Sequence, residues 1–155
     1  MASLLAVDVG IRTGLASYGD DGMLRWYRSH NYGNLPRLRR ALPSLVTDPA
    51  DLAHIVLEGG GPIANAWESE ASKRYLDVTR VSAEEWRALF LLPREQRTGT
   101  QAKEVAGRLA RDIIDWSGTR RPTSLRHDAA EAILIGLWGV LRVGWLRSLP
   151  PPLMR

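Results

Sequence analysis

The chain has 155 residues, enough for one domain with a proper core, and its 45% hydrophobic and 25% charged content excludes a disordered chain. It has no cysteine, which excludes disulfides and thiolate metal sites, and its three histidines, His30, His54 and His127, are too scattered for a zinc site. The formal charge is +4 with a pI of about 10.0, and nearly every base is arginine, Lys73 and Lys103 being the lysines.

Leu4 to Asp8 is a short apolar run that predicts a buried strand. Gly10 to Gly14 reads as a turn, Leu15 to Tyr18 as a second strand, Gly19 to Gly22 as another turn, and Leu24 to Ser29 as a third strand. Together they predict an antiparallel meander. Leu35, Leu38, Leu42, Leu45 and Val46 have helical spacing, with Pro36 tolerated in the first turn and Pro43 expected to shorten or kink the helix. Ala53 to Glu58 lacks alternation, so it is expected to be a central strand covered on both faces, ended by Gly59-Gly60-Gly61-Pro62. A helix over 64–76 and a short strand over 78–81 follow. Ser82-Ala83-Glu84-Glu85 has capping-box spacing and predicts a helix to about Phe90. A loop over 92–99, a helix over 100–116, a basic loop over 117–124 and a final helix from Arg126 to about Leu146 complete the pattern, and Pro150-Pro151-Pro152 is expected to end ordered structure.

This order predicts an α/β fold with a mixed five-stranded sheet flanked by helices. It predicts a single domain over 1–149 and a proline-rich tail over 150–155. Met1-Ala2-Ser3 leads into the first strand without the features of a signal peptide, and the last helix is too short to span a bilayer. The expectation is a soluble cytoplasmic protein without membrane contact.

Four acids stand at the ends of apolar elements: Asp8 and Glu58 close strands, and Asp128 and Glu131 open the last helix. Buried carboxylates are costly unless something cationic satisfies them. Like charges about 4 Å apart repel by roughly 4 kcal/mol at an effective dielectric of 20. Asp128 and Glu131, three apart, share a helix face near a dipole end that favours anions. Taken singly, each acid reads equally as a cap, a surface acid or a salt-bridge partner. As a set delivered by three elements, they point to a divalent ion, and hard oxygen donors select Mg²⁺ or Mn²⁺. Arginine pairs bidentately with phosphate, so the basic composition is compatible with nucleic acid, although genomic base composition or a hot habitat explains it as well.

The residues Leu5-Ala6-Val7-Asp8-Val9-Gly10-Ile11-Arg12-Thr13-Gly14, then Ile55-Val56-Leu57-Glu58, then His127-Asp128-Ala129-Ala130-Glu131-Ala132 resemble the RuvC-type Holliday-junction resolvases of the RNase H-like nuclease superfamily. The resemblance implies an RNase H-like fold and a homodimer that nicks opposite strands of branched, four-way DNA. The implied chemistry is two-ion hydrolysis by in-line attack of water, leaving 5′-phosphate and 3′-hydroxyl ends. Asp8, Glu58, Asp128 and Glu131 are its implied catalytic metal ligands. Gly99-Thr100-Gln101-Ala102-Lys103 matches a segment whose lysine meets DNA phosphate. Arg12, Arg120, Arg121 and Arg126 are further candidates for the backbone. His127 is a candidate to orient water or cap its helix. The resemblance places the dimer interface near the helix over 64–76. Where relatives carry a junction-wedging phenylalanine this chain has Gly61, with Trp67 as the alternative wedge. The first turn is a residue shorter than in many relatives, and Glu131 stands where they often have Asp.

Three other readings remain open on the sequence. One is a nuclease of the same fold acting on RNA or RNA–DNA hybrid. Another is a nucleotide-binding ATPase or kinase-like domain, since Asp8-Val9-Gly10 followed by Gly14 resembles a phosphate loop. The third is a catalytically dead DNA-binding module.

Overall fold

The computed structural model describes residues 1–155. Its first strand, β1 (Ser3–Asp8), pairs antiparallel with β2 (Arg12–Gly19), which pairs antiparallel with β3 (Leu24–Asn31). Helix α1 (Leu35–Thr47) crosses over to β4 (Leu52–Glu58), which lies parallel to β1. Helix α2 (Gly61–Lys73) leads to β5 (Asp77–Val81), parallel to β4. The sheet order is β3-β2-β1-β4-β5, the mixed five-stranded sheet that the pattern predicts. Then come α3 (Ala83–Phe90), a 3₁₀ turn (Pro93–Gln96), α4 (Gly99–Ser117), α5 (His127–Val143) and a second 3₁₀ turn (Pro151–Leu153).

Strand alternation divides the core. Leu4 and Ala6 of β1, Ala16 and Tyr18 of β2 and Val56 of β4 face α5, on which α3 and α4 pack. Leu5, Val7, Leu15, Ile55 and Leu57 point the other way, against Leu38, Leu42 and Val46 of α1 and Trp67 and Ala71 of α2. Both central strands are therefore covered on both sides. Tyr18 crosses the first core, and its hydroxyl donates to the Ile133 carbonyl of α5. Tyr18→Phe removes this bond while the Ile133 carbonyl keeps its place in the ladder of α5, so it is expected to lower stability by about 0.5–1.5 kcal/mol in urea unfolding.

The helix ends follow sequence chemistry. The Asn34 side chain accepts from the Arg37 N–H at 2.9 Å, and Ser82 with Glu85 forms the expected capping box, both bonds at 3.1 Å. Thr98 caps α4 through the Gln101 N–H at 3.0 Å.

Several boundaries differ from expectation. Helix α1 runs on through Pro43 to Thr47. Pro43 stands on its exposed side, where water can serve the freed carbonyl, while the buried stripe of Leu38, Leu42 and Val46 stays intact. Helix α5 ends at Val143, three residues early, because Gly144 adopts a left-handed conformation and the Trp145 N–H turns back to the Val140 carbonyl. The proline-rich end is not loose. Leu153 is buried, and the Arg155 guanidinium donates to Glu95 at 2.7 Å and to the Phe90 carbonyl at 2.7 Å. Glu95 also accepts from Arg108 and from the Leu92 N–H. These donors, Arg155 first, hold the Glu95 carboxyl at about 2. No helix is long and apolar enough to cross a membrane.

Candidate active site

One row across the sheet builds the site. Registers pair Glu58 with Asp8, Asp8 with Gly14, and Gly14 with Ser29. Paired residues in adjacent strands share a face, so Glu58, Asp8 and Ser29 present side chains toward α5, with a gap at Gly14. The first turn of α5 lands in that gap. A Cβ on Gly14 would lie 2.0 Å from the Asp128 carbonyl oxygen and 2.4 Å from its carbon. Only glycine allows this approach, and it sets Asp128 down beside Asp8. The Ser29 hydroxyl then donates to Asp128 Oδ2 at 2.9 Å. At the other end of the row Gly59, with φ of 125°, turns the chain sharply out of β4, close against Val9.

Asp8, Asp128 and Glu131 line one open cleft of about 410 Å³ with Arg12, Lys103, Arg126 and His127. Glu58 stands beside it through its register with Asp8. Burial, followed by the charges of Glu131 and Glu58, a hydrogen bond with Glu58 and the charge of Asp128, pushes the Asp8 carboxyl up to about 8. Burial also raises Glu131, opposed first by Arg87 and then, after the reinforcing charge of Glu58, by Lys103.

The row gathers all four acids at the carboxyl ends of β1 and β4 and the amino end of α5. Glu131 lies just past the first turn of α5, which holds Asp128. Lys103 and Arg126 frame the cleft from the start of α4 and the residue before α5. His127 is the first helical residue, not the cap, which is Arg126 without a side-chain bond.

Arg120 and Arg121 lie outside this cleft. They line a larger one, about 670 Å³, between β3 and the 117–123 loop. That cleft has no acid in its walls. Arg121 there pairs with Asp115 at 2.7 Å, and the Arg120 carbonyl accepts from the Tyr27 hydroxyl at 2.6 Å. Trp67 is 0% exposed, part of the core between α1, α2 and the sheet, so it is not free to wedge anything apart.

Two site residues escape sequence reading. Ser29 reaches Asp128 only through strand register. Arg87 of α3 brings its Nη2 to 3.5 Å from Glu131 Oε1. Nothing in the linear pattern marks either one, since an arginine in a capped amphipathic helix reads as a solvated residue.

No three His, Cys, Asp or Glu side chains converge closely enough to clasp an ion as they stand. The donor set nevertheless fits a hard divalent cation. Its atoms are all carboxylate oxygens, and burial, reinforced by their mutual repulsion, pushes the Asp8 carboxyl up to about 8. A cation there would take the place of its proton.

The mixed sheet in the order 3-2-1-4-5, with helices on both faces, is the RNase H-like α/β fold. Among solved structures the chain is similar to T. thermophilus RuvC in complex with a Holliday junction substrate. The TM-score is 0.65 at 15% identity, over 94% of this chain and 98% of that one. The shared fold is what this likeness shows. No protein-family model matches the chain, and no curated protein does.

Proposed function

We propose that the protein is a divalent-ion-dependent endonuclease that resolves four-way DNA junctions. The observation that carries this reading is the row of acids, with Asp8 and Glu58 side by side and the α5 acids laid over them. The RuvC-like fold supports it.

Asp8, Glu58, Asp128 and Glu131 would hold Mg²⁺ or Mn²⁺, two ions per site in the full reading. A bound ion supplies charge stabilisation at the scissile phosphodiester and a more acidic water. The protein does the rest. Asp8, central in the row, gives up its proton when the cleft gains positive charge. Ser29 donates to Oδ2 of Asp128 and the Ala129 N–H to Oδ1, and together they fix the orientation of the carboxylate at the cleft wall. Arg12, Lys103 and Arg126 offer cations to a phosphate backbone entering the cleft, and Arg120 and Arg121 extend the basic surface along the adjoining loop. Two copies related by a two-fold axis, with α2 at their interface, would match a two-fold junction.

The test uses a labelled four-way junction, a linear duplex and an RNA–DNA hybrid of matched length, each with Mg²⁺ or Mn²⁺. Paired nicks in opposite strands of the junction are expected, with the linear duplex left largely intact. Cleavage of the hybrid alone overturns the junction assignment, and no cleavage of any substrate overturns the nuclease assignment.

A further inference from the structure

Arg87 is the one cation in ion-pair contact with a candidate ligand. It belongs to α3, fixed at its start by the capping box, and its guanidinium lies 5.3 Å from the centre of the Trp86 ring, which is fully buried. The helix thus supplies a rigid base from which Arg87 reaches α5. The contact itself is loose. At 3.5 Å the pair is longer than the 2.7–2.9 Å typical of charge-assisted hydrogen bonds. The Arg87 Nε is buried and has no hydrogen-bond partner. Glu131 also lines one cleft with Asp8 and Asp128. Its carboxylate is therefore within reach both of a protein cation and of the acids with which it would bind a metal.

From this geometry we infer that Arg87 is a resident countercation, which holds Glu131 while the site is empty and yields it to a divalent ion. This rests on the metal-dependent reading above. The loose geometry is what makes exchange possible, since a bidentate pair would hold Glu131 too firmly. An ion pair that water partly reaches is worth little, so the competition is modest and tunes the ion requirement without blocking it. Arg87 is a positioning residue in this account. It acts on the site through Glu131.

The test measures Mn²⁺ binding by calorimetry, without substrate, for wild type, Arg87→Gln, Arg87→Lys, Glu131→Gln and the Arg87→Gln/Glu131→Gln double variant. Arg87→Gln is expected to bind Mn²⁺ roughly three- to tenfold more tightly, because the competitor is gone. Arg87→Lys should stay within about twofold of wild type, since it keeps the charge. In the Glu131→Gln background, removing Arg87 should change nothing, which a merely structural role would not produce. Unchanged or weaker binding by a folded Arg87→Gln, with wild type binding normally, overturns the inference alone. Wild type that takes up no Mn²⁺ overturns the metal site and the inference together. A second measurement needs no substitution at Glu131 and no loss of charge. Arginine Nε–H signals of wild type, with the Arg87 peak assigned from its loss in Arg87→Lys, should show that peak moving as Mg²⁺ saturates the protein. A peak that stays in place at saturation also overturns it.

Discussion

Asp8→Asn is expected to abolish ion-dependent cleavage and yet to make the ion-free protein more stable at pH 8. The loss should be about 10³-fold or more, since several kcal/mol of charge stabilisation would depend on the ion that Asp8 is proposed to hold. Binding of an uncleaved junction should survive, because Lys103 and the arginines keep their charges. The stability gain follows from the sign of the linkage. Burial and three acidic neighbours hold the folded carboxyl up to about 8, whereas the unfolded carboxyl titrates near 4. Between those values the folded state keeps a proton that the unfolded state loses, so stability falls as pH rises. The slope from this one group is at most about 1.4 kcal/mol per pH unit. Glu131, raised by burial, adds to the same trend. Glu95 works the other way. Its lowered carboxyl contributes stability above the ordinary glutamate range, lost only as pH falls toward about 2. The two windows hardly overlap. Urea unfolding in EDTA from pH 5 to 8 should show wild type weakening with pH and Asp8→Asn largely spared. Adding Mn²⁺ at pH 8 should stabilise wild type and leave the variant unmoved. A pH-independent wild type would sink this account of Asp8.

Gly14→Ala is expected to be the most damaging one-carbon change in the chain. The new Cβ would meet the Asp128 carbonyl at 2.0 Å and the Ala129 nitrogen at 3.1 Å. Those are backbone atoms, so relief requires the first turn of α5 to lift off the sheet. Overpacking of this kind costs about 1–3 kcal/mol or more. The Ser29 bond to Asp128 would be lost with it, and a displacement of about 1 Å in such a site costs roughly 100-fold in rate. Gly107→Ala is the control. Its Cβ meets nothing closer than an Arg111 nitrogen at 3.7 Å, and alanine in a helix should gain about 0.5–1 kcal/mol. Thermal unfolding and junction nicking measured together should separate the two glycines clearly.

Much of the fold was legible because local chemistry and burial agree here. The apolar runs at Leu4 and Ile55 have no polar alternation, and both are covered on two faces. The Ser82 capping box and the left-handed Gly144 act where residue type alone decides. Pro43 misleads because its cost depends on which side of the helix meets water, which linear order does not state. The tail misleads for a similar reason. A proline triplet forbids a longer helix or a paired strand, but it enters a 3₁₀ turn and leaves Leu153 and Arg155 to find partners in distant elements. The four acids could be singled out because each ends an apolar element. Their common row depends on register, set by strand pairing across the sheet, so the sequence carried the list but not the arrangement. Arg120 and Arg121 are near Asp128 along the chain, but the loop carries them to the edge of β3 and a neighbouring cleft, a placement that linear order does not state.

The parallel pairing of β1 with β4 has a consequence for the newly made chain. Parallel neighbours cannot be closed by a tight turn, so Asp8 and Glu58 meet only after the meander and α1 have been synthesised and docked. The remaining acids arrive later still, on α5. A half-made molecule on the ribosome thus lacks the α5 acids, and the full set of four comes together only when the final helix has seated.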